Sequence, residues 1–270
     1  MPPDEGSHDA GLRLFSGGMM ENTETLQPAD ASPEKTLKPF PAILPSIGWI
    51  ILYFLLQGIC TGILVAAGVG GAEASDAAAA VQNPIVVLWG LVTAALVQLF
   101  LMWFYLRKDG RIGKLGLDHF GNISLGRTTG LAVVLVAAAM LFNYIYATYI
   151  IPGVGMQEDM AKMLASIPRT PENIAAGFFA IAVAAPIVEE LLFRGLLQNA
   201  LGKYVPIWGA IILSSFLFSL VHLQPYAMPG LMSLGIAFGY LYHRTGSLRT
   251  NILLHMANNA FALTLTQGMG

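Results

Sequence analysis

Glu189, Glu190 and Arg194 stand together at the end of the apolar run 174–188, and two later apolar stretches carry His222 and His255. Ionisable side chains at membrane depth cost about 2.5–3.5 kcal/mol each on insertion scales, so their presence needs a reason. Their types suggest one. A carboxylate able to take a proton, two imidazoles and the carboxamide of Asn259 are the parts for activating water against an amide bond, or for holding a metal that does so.

Spacing divides the labour among them. Glu190 and Arg194 are i,i+4 with the acid first, the favourable order for a helical ion pair, and pairing lowers the cost of keeping both in lipid. Glu189 is rotated from its neighbour by about 100°, so it cannot share that direction and is free to face a cavity. Phe218 and His222 share a helix face, as do His255 and Asn259, which could jointly hold a substrate carbonyl or its oxyanion. Each feature also has a plain structural reading. A lone intramembrane histidine or asparagine is usually an interhelical hydrogen bond, which is the expectation for Gln98 and Asn143. A Glu-Glu-Arg cluster can be an ion-pair staple, and a proton relay uses the same residue types. Three polar intrusions in three successive apolar segments favour one site assembled from three helices.

The elements that must position these groups are membrane helices. Of the 270 residues 55% are hydrophobic and 11% charged, against about 25% charged in ordinary soluble domains, and the mean hydropathy is +0.63. The fold class expected is all-α, a polytopic transmembrane bundle of about seven spans with a polar intramembrane cavity in the C-terminal half. The spans expected are about 45–69, 84–106, 130–151, 174–200, 206–222, 229–243 and 249–267. The last four, Gly-rich or bounded by prolines, are expected to tilt, break or pack around the cavity. Residues 1–44 read as a disordered N-terminal tail without a secretory signal. Residues 45–151 read as three spans with a basic loop near 107–129, and 152–270 as the catalytic core.

Arg107, Lys108, Arg111, Lys114 and Arg127 place that loop in the cytoplasm by the positive-inside rule. The tail with Lys35 and Lys38, Arg194 with Lys203, and His243, Arg244 and Arg249 fall on the same side. The loop could form an interfacial amphipathic helix around Ile112, Leu115, Leu117 and Phe120, or a solvated basic loop. A net charge of −2 argues against a nucleic-acid partner. The single cysteine, Cys60, excludes an internal disulfide and reads as apolar filler.

Three ordered elements, Glu189-Glu190-x-x-x-Arg194, Phe218-x-x-x-His222 and His255-x-x-x-Asn259, resemble the core of the CPBP family of intramembrane proteases. That family includes CAAX prenyl endopeptidases of the Ras-converting type and bacterial homologues tied to bacteriocin processing and immunity. The likeness covers about 174–262, with supporting text at Phe193-Arg194-Gly195 and Gly239-Tyr240-Leu241-Tyr242. It implies an intramembrane endopeptidase acting on a membrane-associated peptide or protein, prenylated or not, in a multi-pass protein of the lipid bilayer. In a bacterium that bilayer would be the plasma membrane, with the N-terminus cytoplasmic. It implies that Glu189 and His222 activate water, that His255 and Asn259 form the oxyanion side, and that Glu190, Arg194 and Phe218 give structural support. Family members are described both as metalloproteases and as glutamate-dependent enzymes. Glu189, His222 and His255 would make a His₂Glu zinc set, but no His-Glu-x-x-His element is present, and the reading favours no cofactor, with Zn²⁺ as the alternative. A non-catalytic immunity or binding protein of the same family, and a proton-coupled carrier, are the competing functions.

Overall fold

The computed structural model describes residues 40–71, 77–80, 82–152, 162–163 and 165–268. Residues 1–39 of the expected tail lie outside them. Seven long helices follow one another in the described residues: α1 (Ile43–Ala66), α2 (Pro84–Leu106), α3 (Leu125–Ile145, continued by a π turn over Tyr146–Ile150), α4 (Pro171–Leu201), α5 (Ile207–Leu220), α6 (Met228–Thr245) and α7 (Leu248–Gly268). They occupy the seven apolar runs, and no strand occurs among the described residues. α1, α2, the α3 helix through Ile150, and α4 are each long and apolar enough to cross a bilayer, while α5 spans only 14 residues. The chain is an all-helical integral membrane protein.

Local chemistry sets the boundaries. Asn83 caps α2 by accepting from the Ile85 N–H at 3.0 Å, with Pro84 in the first turn where its missing N–H is harmless. Thr170 caps α4 in the same way, again followed by a proline. α6 stops at Gly246, whose φ of 67° is left-handed and suits glycine. Large apolar side chains such as Ile51, Leu55, Ile59 and Ile63 on α1 and Val133, Val134 and Leu141 on α3 are exposed, as lipid-facing surfaces require.

α4 is the axis of the bundle. Every side chain from Glu190 to Gln198 is buried. The helix widens to π geometry twice, at Phe179–Ala184 and at Glu190–Gln198. Pro186, which has no N–H to give the preceding turn, sits between the two widened stretches. Gly195 lets Leu248 approach, since an added Cβ there would lie 2.9 Å from its side chain. Polar ties then lock α4 to its neighbours. Gln198 donates to the Gly239 carbonyl at 3.0 Å, and Asn199 donates to the Tyr242 hydroxyl at 2.7 Å. Gln98 reaches the Trp49 carbonyl of α1 at 3.3 Å, and Asn143 reaches Ser233 of α6 at 3.5 Å, the interhelical bonding expected of both.

The segment between α2 and α3 is neither a long amphipathic helix nor a solvated loop. It forms one helical turn, Arg111–Lys114, and then docks on the α6–α7 corner. The Asn122 N–H donates to the Thr245 carbonyl, the Arg249 N–H to the Gly116 carbonyl, and the Ser247 and Thr250 hydroxyls to the carbonyls of His119 and Phe120. Leu115 and Leu248 are fully buried beneath this contact. The docking gathers the basic residues of 107–114 and 244–249 at one end of the bundle. Lys203, whose ammonium bonds the Pro41 carbonyl, has its pKa lowered by burial and, to a lesser degree, by the charge of Lys114. Arg194 is a correction to the charge count, because it lies in the core and contributes nothing to a loop.

Gly116 is the tightest point of the docking. Its φ is +67°, and a Cβ there would sit 2.0 Å from the Gly246 carbonyl oxygen. Gly116→Ala is expected to lower the melting temperature of the detergent-purified protein by about 4–8 °C, corresponding to about 2 kcal/mol. An unchanged melting temperature would show that the docked loop contributes nothing to stability.

Candidate active site

Two adjacent carboxylates on α4 meet different surroundings. Glu190 is wholly inaccessible to solvent. Its Oε1 accepts from Arg194 at 2.8 Å and from His255 Nδ1 at 2.9 Å, and its Oε2 accepts from Asn251 at 2.7 Å. Arg194 completes its own shell by donating to the Gly235 carbonyl at 3.2 Å. The guanidinium also lies over the rings of Phe218 and Phe238, at 4.7 and 5.7 Å from their centroids. A charge pair at this depth is tolerable only when it is paired and hydrogen-bonded in this way. Glu189, one residue earlier, turns away from this cluster into a cavity of about 620 Å³, with 18% of its side chain exposed.

The cavity brings together all four side chains singled out for chemistry. Glu189, His222, His255 and Asn259 line it, and Phe218 contributes to its wall. His222 lies beyond the end of α5, in a turn, and not inside a span. Its Nδ1 is 2.7 Å from the Phe218 carbonyl oxygen. A carbonyl can only accept, so Nδ1 carries the proton and Nε2 keeps its lone pair. His255 stacks on Phe238 with centroids 4.8 Å apart, and its Nε2 is 3.7 Å from Glu189 Oε2, too long for a direct hydrogen bond. Asn259 donates one amide hydrogen to the Ile181 carbonyl at 3.0 Å and accepts from Asn258 at 3.2 Å. Its second amide hydrogen remains for the cavity.

Asn251 was not among the expected site residues, although its spacing made it findable. It precedes His255 by four residues, as His255 precedes Asn259, so one face of α7 carries all three. Its amide nitrogen also donates to the Phe238 carbonyl at 3.0 Å, tying α7 to α6 behind the histidine. Tyr53 and Gln57 of α1 and Gln224 after α5 also line the cavity. In the sequence all three were polar residues in or beside apolar runs, and Tyr53 and Gln57 stand more than a hundred positions before Glu189, with nothing to connect them to it.

The donors do not fit a resident zinc ion as they stand. Among the described residues no three His, Cys, Asp or Glu side chains are gathered as an ion would require. Glu190 and the Nδ1 of His255 are already committed to each other, and Glu189, His222 and His255 share a cavity wall without converging on one point.

Comparison with known proteins agrees with the motifs. Residues 171–261 match the family model described as Type II CAAX prenyl endopeptidase Rce1-like. The chain is 25% identical over 182 residues to the putative membrane peptidase YdiL of Bacillus subtilis, covering 66% of this chain and 71% of that protein. It is 39% identical over 83 residues to the UPF0177 protein YaiF of Lactococcus lactis, covering 30% of this chain and 37% of that one. Identity to the membrane-embedded CAAX protease MroQ of Staphylococcus aureus is 27% over 139 residues, 49% of this chain and 55% of that protein. No solved structure matches the chain. The family likeness read from the three motifs therefore stands for residues 171–261.

Removing one partner of the buried pair tests its role directly. Arg194→Met is expected to destabilise the protein by about 3–5 kcal/mol, because Glu190 is left buried without its countercharge. Adding Glu190→Gln should return part of that loss. Unfolding in detergent at the parental midpoint by the single variant would show the pair to be dispensable.

Proposed function

We propose that this chain is an intramembrane endopeptidase that hydrolyses a peptide bond in a membrane-associated protein or peptide, using water activated by Glu189 and His222. The observation that carries this reading is the division between the two carboxylates. Glu190 is engaged by Arg194, His255 and Asn251, and Glu189 is left facing an open cavity that histidine and asparagine also line. The names of the peptidase relatives support the same reaction class.

The chemistry follows from which groups can give and which can take protons. A water between Glu189 and His222 meets two acceptors, the carboxylate and the free Nε2. With both hydrogens held, its remaining lone pairs are available to the scissile carbonyl carbon. Glu189 takes the proton as the carbon–oxygen bond forms, and later gives it to the departing amine nitrogen as the carbon–nitrogen bond breaks. His255 donates its Nδ1 hydrogen to Glu190, so it stabilises an oxyanion as the imidazolium, from Nε2. Asn259 adds its second amide hydrogen. Each such donor is worth about 3–4 kcal/mol in comparable sites. No step requires a metal.

The basic end of the bundle supports placing the 107–122 and 244–249 segments in the cytoplasm, with the N-terminus on the same side. A prenylated CAAX tail and an unlipidated peptide both belong to the substrate class proposed.

Glu189→Ala and His222→Ala are expected to abolish cleavage while the protein still accumulates and purifies. Asn259→Ala should lower kcat by about 10²–10³-fold. The assay uses the purified protein with internally quenched peptides. Parental activity in Glu189→Ala against a peptide that the parent cleaves would reject the base assignment. Loss of proteolysis in none of the three variants would return the site to a binding or immunity role.

A further inference from the structure

The cavity holds polar groups that the proposed chemistry does not use. Gln224 lies two residues beyond His222 and lines the same wall. Its Oε1 is buried and has no hydrogen-bond partner among the described residues. A buried acceptor left unpaired costs about 1–3 kcal/mol, so a group in that state calls for a donor. The residue between the two, Leu223, has a φ of +54°, a left-handed conformation that a branched side chain adopts at a cost. That turn sets both His222 and Gln224 on the cavity wall.

α1 contributes Tyr53 and Gln57, one helical turn apart, to the lining of the same cavity. Tyr53 is buried, with 7% exposure, on a helix whose lipid-facing side chains are apolar, and it lies within electrostatic reach of Glu189. The phenol and the carboxamide together hold three polar hydrogens that can be donated to a bound molecule.

We propose that Gln224 and the Tyr53–Gln57 pair form a subsite that holds the main chain of an extended peptide across the cavity. Gln224 Oε1 accepts a substrate N–H, and the pair on α1 donates to a substrate carbonyl. An extended peptide presents such groups alternately along its length, so an acceptor on one wall and a donor on the other read backbone and not side chains. The subsite therefore fixes the register of the scissile bond over Glu189 while tolerating varied sequences. It also gives α1, which lies outside the matched segment 171–261, a direct part in substrate binding. The inference rests on the peptidase reading.

The test uses the full-length protein in detergent and one internally quenched peptide that the parent cleaves, with variants of that peptide each N-methylated at a single backbone nitrogen. Gln224→Met and Tyr53→Phe are expected to raise KM about five- to tenfold, with kcat within about twofold of the parent and an unchanged melting temperature. One N-methyl position should weaken the parent and have no further effect on Gln224→Met. Binding of the same peptides, fluorescently labelled, to Glu189→Ala and to its Gln224→Met derivative should show the same pattern in Kd. Parental KM in both variants, or N-methyl penalties that persist undiminished at every position in Gln224→Met, would overturn the subsite. A fall in kcat alone would also overturn it. Cleavage surviving in Glu189→Ala would instead remove the proposed base, whatever the KM values show.

Discussion

A full positive and a full negative charge, both shut away from solvent, are the constraint around which the bundle is arranged. Glu190 and Arg194 are stable in hydrocarbon only because each finds hydrogen-bonding partners as well as the other. The partners come from three other helices: His255 and Asn251 on α7, the Gly235 carbonyl and Phe238 on α6, and Phe218 on α5. α5 and α6 can come that close because Gly235 has no side chain. A Cβ there would lie 2.8 Å from Ser215, and Gly239 one turn later is just as tight against Gln198. Small residues at helix contacts are the usual device where lipid gives no hydrophobic drive to association.

The same arrangement sets the chemistry of the cavity. Because Glu190 absorbs Arg194 and the Nδ1 of His255, neither the guanidinium nor that nitrogen competes for Glu189. His255 is oriented by the carboxylate behind it and by the ring of Phe238 beneath it, so its remaining nitrogen lies on the side of Glu189. A buried ion pair and a cavity-facing carboxylate thus sit at neighbouring positions in the chain. The difference between them is the direction in which a single residue step turns the helix.

What could be read from the sequence was local. Spacings of four residues within one helix identified the Glu190–Arg194 pair and put His255 and Asn259 on one face, and apolar runs located the seven helices. Asn251 obeys the same spacing and was within reach of that reasoning. The contributions of Tyr53, Gln57 and Gln224 were not, because a polar residue in or beside an apolar run says nothing of which distant helix it will face. The docked segment 116–122 was misread for a related cause. The basic residues just before it, Arg107 to Lys114, suggested solvent or membrane surface, whereas its own backbone carbonyls and the preceding Leu115 are used against the α6–α7 corner. Arg194 was counted toward loop charge because α4 continues beyond it. The widened π turns have no simple sequence signal apart from Pro186.

The four-residue separation of Glu190 and Arg194 has a consequence for biogenesis. α4 leaves the ribosome before α5, α6 and α7 exist, so at the moment it partitions into the bilayer none of the distant partners is available. A counterion on the next turn of the same helix travels with it, and the segment can enter as a nearly neutral rod. His255 and Asn251 arrive on the last helix, which makes the carboxylate's final coordination the closing event of assembly.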